Sequence, residues 1–125
     1  MGNPTVTPLQ EQWHNGGFLV SESNGHRSRE TVTLTGGSYG AGTVLGKITA
    51  SGKYTILTPA ASDGSQTAAA LLFAAKDASA ADKQALVIVR DAEVNGSELV
   101  YPSGISGGNI TAAIVALATS GVIVR

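Results

Sequence analysis

The sequence contains no cysteine, and that single absence removes disulfide frameworks, thiolate metal sites and thiol nucleophiles together. Aromatic residues make up only 5% and charged residues 14% of the chain. A core is therefore built from small aliphatic side chains, and it is thin. Hydrophobic burial narrowly exceeds chain entropy in a domain of this size, so subunit contacts that bury further surface are a natural remedy. The 8 basic and 9 acidic residues nearly cancel, leaving a formal charge of −1. A nucleic-acid binder needs clustered Lys and Arg. Here the only local basic pair, Arg27 and Arg29, is diluted at once by Glu30, so no direct nucleic-acid partner is expected. The first ten residues lack a basic segment leading into an apolar core, so they do not read as a secretory signal. No apolar run is long enough to span a bilayer, and no membrane partner is expected.

The 125 residues fit one compact domain with an arm. Residues 1–16 form the expected flexible arm, with prolines Pro4 and Pro8 and the run Asn15-Gly16-Gly17; residues 17–125 form the β-rich domain. Trp13 is the one tryptophan and stands in the least foldable stretch, where such a side chain acts as an anchor for a partner's pocket.

Strand signals dominate the rest. Phe18-Leu19-Val20 is a short strand candidate, followed by the turn cluster Ser23-Asn24-Gly25-His26. Residues 30–35 alternate polar and apolar with β-branched side chains and read as a half-buried strand, broken by residues 36–40. Residues 43–49 and 53–57 read as a hairpin about Ala50-Ser51-Gly52. Residues 67–75 favour a helix by propensity but lack caps, and a buried strand through Leu71 and Phe73 is preferred. Residues 77–82 read as a loop or single helical turn. The aliphatic run 85–89 is consistent with a strand buried on both faces.

One helix is expected over residues 110–119, ended by Gly121 in a left-handed conformation. Ile110, Ala113, Ile114, Leu117 and Ala118 share one face; Ala112, Val115, Ala116 and Thr119 share the other. No position is charged, and a helix apolar all round is covered on more than one side. Ala112, Ile114 and Val115 are accordingly expected at a subunit contact. Residues 122–124 form a closing strand. The fold class is mainly β with one short C-terminal helix.

Searches for reactive chemistry fail. A phosphate loop ending at Gly46-Lys47 needs Gly and Ser or Thr where Ala41 and Ile48 stand. A dinucleotide fingerprint from Gly40 and Gly42 meets Leu45 where its third glycine belongs. His14 and His26 lack metal-ligand or triad spacing. The acidic residues are scattered, and the patterns Asn95-Gly96-Ser97 and Asn109-Ile110-Thr111 carry no expectation of glycosylation without a secretion signal. No cofactor, metal or catalytic residue is assigned. The expectation is of a protein that is not an enzyme.

The stretches Phe18-Leu19-Val20-Ser21-Glu22, Ser28-Arg29-Glu30, Ala41-Gly42-Thr43-Val44-Leu45-Gly46-Lys47-Ile48 and Val89-Arg90-Asp91-Ala92-Glu93-Val94-Asn95, with the ending Gly121-Val122-Ile123-Val124-Arg125, resemble the lambda-type phage head decoration proteins in order and spacing. The resemblance implies a small β-clip-type fold and a homotrimer on the outer surface of the virion. Such trimers sit at threefold and quasi-threefold positions of the expanded capsid and cement the major capsid protein against the pressure of packaged DNA. It further implies an N-terminal arm that orders on the capsid. Thr5, Val6, Leu9, Trp13, Phe18, Leu19 and Val20 are then the expected capsid-binding residues, an arm beside an unpaired strand being suited to β-augmentation. Two other readings stand beside this one: a tail or adhesin surface module, and a trimeric nucleotide hydrolase of related β-rich architecture, for which no acidic and aromatic substrate motif is found.

Overall fold

The computed structural model describes residues 17–22 and 28–125. Thr5, Val6, Leu9, Trp13, both histidines and the turn 23–26 lie outside the described residues.

Among the described residues, ten strands and one α-helix follow in order: β1 (Leu19–Glu22), β2 (Arg29–Leu34), β3 (Ser38–Tyr39), β4 (Val44–Lys47), β5 (Tyr54–Ile56), β6 (Ala68–Leu72), β7 (Lys76–Asp77), β8 (Lys83–Ile88), β9 (Ala92–Val94), α1 (Gly107–Thr119) and β10 (Val122–Val124). The class is the expected one, mainly β with a single C-terminal helix. Strands β2-β5-β4-β6-β8 close into a barrel. Beside it lies a three-stranded sheet in the order β1-β9-β10, and β3 pairs with β7 as a two-stranded ribbon.

Why the aliphatic runs sit where they do follows from this layout. The barrel wall separates two cores. Leu34, Leu45, Tyr54, Ala70, Leu72, Ala85, Val87 and Val89 pack inside the barrel. Val44, Ala68, Leu71 and Ile88 pack on the other side, against Phe18, Val94, Ala113, Leu117 and Val122. Neighbouring strand residues point to opposite faces, so β6 and β8 need apolar side chains at successive positions. The expectation of a strand buried on both faces at 85–89 holds, and the ambiguous stretch 67–75 resolves as β6. Propensity for helix yields there because β6 pairs with both β4 and β8 and buries Leu71 and Leu72 completely.

The expected hairpin is β4–β5, with Leu45 opposite Ile56 and Lys47 opposite Tyr54. Gly46 is required by packing: a Cβ there would sit 2.4 Å from the Ser65 carbonyl oxygen. The half-buried strand at 30–35 is β2, paired antiparallel with β8 from Arg29–Ile88 to Leu34–Lys83. Two expectations are corrected. The break at 36–40 contains β3, whose two residues pair with β7, and Asp77 of β7 opens the stretch expected as a loop or single helical turn. The helix begins three residues earlier than expected, because Ser106 caps it: the Ser106 hydroxyl accepts the Asn109 N–H at 3.2 Å. Gly121 follows the helix with φ +91, as expected, and a Cβ there would meet the Asp91 backbone nitrogen at 3.1 Å.

Candidate interaction surfaces

Three surfaces are left open by this packing. The first is the N-terminal edge. Phe18 is only 2% exposed and belongs to the core; its carbonyl accepts the Asn95 N–H at 2.7 Å. Phe18, expected among the capsid-binding residues, is thus enclosed by the core of its own chain. Leu19 is half-buried opposite Val94. The pairing with β9 then slips between Leu19 and Ser21, and Val20, at this bulge, is 58% exposed. Of Phe18, Leu19 and Val20, all expected among the capsid-binding residues, Val20 is the exposed one.

The far end of β1 is held by polar contacts. The Arg29 guanidinium donates to both Glu22 carboxylate oxygens, with Nη2–Oε1 at 2.5 Å, and the wholly buried Ser28 hydroxyl donates to Glu22 as well. Arg29 also lies 4.4 Å from the centroid of the Phe73 ring. The bond to Glu22 pushes the Arg29 pKa further up, so the guanidinium stays charged. This clasp ties β1 to the start of β2 on either side of residues 23–27, a connection the sequence did not announce. Its only sequence signal is an acid and a base seven positions apart across a turn cluster.

The second surface is the other edge of the same sheet. β10 runs parallel to β9, with Ile123 opposite Glu93. The ladder continues past the strand, since the Arg125 N–H donates to the Val94 carbonyl at 2.9 Å and the Arg125 carbonyl accepts the Gly96 N–H at 3.1 Å. The Arg125 side chain reaches Glu93 at 3.2 Å. Ile123 remains 39% exposed beside this pair. Among the described residues the order β1-β9-β10 leaves both outer strands with one unpaired side.

The third surface is the outside of α1. Ala113 and Leu117 are buried, and Ile110, Ile114 and Ala116 are half-buried. Of the residues expected to share a face, Ala113 and Leu117 are buried but Ala118 is exposed, whereas Ala116, grouped with the opposite face, packs against the core. The outer face presents Thr111, Ala112, Val115, Ala118 and Thr119, with Val115 61% exposed. The threonine hydroxyls turn back onto the helix, donating to the Gly107 and Val115 carbonyls. The face is thus uncharged, and its hydroxyls are already engaged.

Reactive chemistry has little footing among the described residues. No group of three or more His, Asp or Glu side chains is placed to hold a metal ion among them. The glycine run that fails as a phosphate loop has a packing role: Gly42 has φ +88, and a Cβ there would lie 2.7 Å from the Glu98 carbonyl oxygen. The Asn95 amide of the first glycosylation pattern is occupied, accepting from the Ser97 N–H and hydroxyl and donating to Glu98. No helix among the described residues is long and apolar enough to cross a membrane.

A closed barrel beside a sheet with two open edges and a helix with an uncharged outer face has, among the described residues, the surfaces of a structural docking module rather than of a reactive site. The chain belongs to the family of bacteriophage lambda head decoration protein D, whose family model matches residues 8–122. Its role is accordingly phage head decoration, as a structural component associated with the capsid; the family is not a known enzyme family. No curated protein matches the sequence.

Proposed function

We propose that the chain acts as a homotrimeric cement on the outer surface of the expanded phage capsid, binding the major capsid protein and stabilising the shell against the pressure of packaged DNA. The family match over residues 8–122 carries this reading. Residues 1–16 supply the capsid-binding arm, with Thr5, Val6, Leu9 and Trp13 as its contacts, and the arm leads directly into the open edge of β1 at Leu19 and Val20. Backbone pairing along such an edge supplies affinity with little demand on sequence. The outer face of α1, with Ala112 and Val115 at its centre and Ile114 at its margin, is the subunit contact. An exposed valine on an uncharged helix face supports this assignment. Three arms on one rigid trimer raise the effective concentration of each, so weak single contacts add to tight attachment.

Mixing the protein with empty expanded capsids and with unexpanded precursors tests the reading. Binding to the expanded form alone is expected, lost on deletion of residues 1–16 while the trimer persists in sedimentation. Equal binding of the truncated protein would refute the arm's role, and no binding to either shell would favour a tail or adhesin module.

A further inference from the structure

Asn95 and Gly96 stand where β9 passes into a single 3-10 turn, Gly96–Glu98. The fold calls for both residues. The Asn95 Oδ1 caps the turn by accepting the Ser97 N–H at 3.0 Å and the Ser97 hydroxyl at 2.8 Å. Its Nδ2 donates to Glu98 at 3.2 Å, a bond an ionised aspartate could not make. At Gly96 a Cβ would lie 2.8 Å from Val124 Cγ1, so β10 disfavours any larger residue there. Packing thereby sets an asparagine before the one residue type whose backbone nitrogen has no side chain to shield it. We infer that Asn95 is a deamidation site of this chain, held closed by the backbone of Arg125 at the end of the β9–β10 ladder.

The reaction needs only water. The Gly96 nitrogen gives up its proton and bonds to the Asn95 Cγ; the Cγ–Nδ2 bond breaks, and Nδ2 leaves with that proton as ammonia. The five-membered imide that results takes up one water across either of its two carbonyl–nitrogen bonds, giving aspartate or isoaspartate. The folded chain treats the two reacting groups differently. The electrophile is primed, because charge developing on Oδ1 meets the two Ser97 donors already in place. The nucleophile is withheld, because the Gly96 N–H donates to the Arg125 carbonyl at 3.1 Å, which holds its proton and directs the nitrogen towards β10. The Arg125 N–H bond to the Val94 carbonyl, at 2.9 Å, fastens the same residue from its other side. Attack therefore requires the end of the ladder to open, and its rate follows the population of that opening. The product disturbs the fold. A carboxylate at position 95 faces Glu98 where the amide donated, and isoaspartate adds a carbon to the main chain, which breaks register with Arg125.

Mass spectrometry of proteolytic fragments after incubation at mildly alkaline pH, with isoaspartate resolved by chromatography, reads the site. In the full chain Asn95 is expected to convert more than about tenfold more slowly than in a peptide of residues 90–100. A variant ending at Val124, which lacks the Arg125 carbonyl, is expected to convert several-fold faster than the full chain with its thermal midpoint nearly unchanged. Amide exchange of the Gly96 N–H in the full chain needs no variant: its slowing relative to the peptide should match the slowing of deamidation, both reporting one opening. Conversion in the full chain at the peptide's rate overturns the inference. So does an unchanged rate in the folded shorter variant, or a Gly96 N–H that exchanges freely while Asn95 stays intact, since the Ser97 turn rather than Arg125 would then hold the site.

Discussion

The barrel and the sheet beside it are built from the same kind of residue and end in opposite states. In the barrel every strand has a neighbour on each side, and closure abolishes the edges. Its interior is filled by Leu, Val and Ala with one tyrosine near its end. Among the described residues, the β1-β9-β10 sheet has only one strand, β9, with partners on both sides. Its exposed residues include Val20 and Ile123, and its ends are fastened by charge, Glu22 to Arg29 and Glu93 to Arg125. Closure uses up a strand's capacity to pair; an open edge keeps it. A barrel with no free edge thus stands against a sheet whose outer strands, among the described residues, each keep one side open under the proposed attachment.

The largest way to test this contrast is to hollow the barrel. Leu72→Ala, inside it, and Leu71→Ala, on the helix side of the same strand, should each cost about 2–5 kcal/mol in denaturant unfolding, both side chains being fully buried. Gly46→Ala should cost about 1–3 kcal/mol, because the new methyl meets the Ser65 backbone rather than a flexible side chain. The clasp on the open sheet is expected to matter less. Glu22→Gln should cost about 1–2 kcal/mol, and amide exchange should show β1 opening locally while β8 exchanges only through global unfolding. Equal protection of the two strands would erase the distinction.

The smallest effect is electrostatic and belongs to the barrel's loops. Hydrogen bonds from the Ser65 hydroxyl and N–H hold the Asp63 carboxyl below its ordinary value of 3.8, and Ser79 does the same for Asp77. A lowered folded pKa means the stabilisation is present above the unfolded value and lost as pH falls through the folded one. These loops should therefore loosen only in acid, below about pH 4. Ser65→Ala should move the Asp63 titration, followed by carboxyl NMR shifts, up towards 3.8. An unmoved titration would show that the Ser65 N–H alone holds it.

Parts of this molecule were plain in the amino-acid order. The hairpin about Ser51-Gly52, the strand at 85–89, the glycine stop at 121 and the mainly β class with one C-terminal helix all follow from local turn chemistry and hydrophobic period. So did the uncharged outer face of the helix. The helix start was placed late because Gly107, Gly108 and Asn109 are poor helix formers and read as leading into it, although Ser106 stands in capping position. β3 and β7 were missed because two-residue strands have no period to read.

Apolar period and turn residues act within a few positions, so the sequence by itself determined which segments extend, where they turn, and that the chain would have little charge to cover its helix. Only the tertiary structure decided which backbones meet: β2 closing on β5, β10 lying parallel to β9, and Phe18 turning inward. Each of those depends on pairing or packing between residues far apart in the chain. A phenylalanine at the start of an edge strand looks the same in sequence whether its core or a partner will enclose it. Here the core encloses Phe18, leaving Val20 at the bulge to face outward.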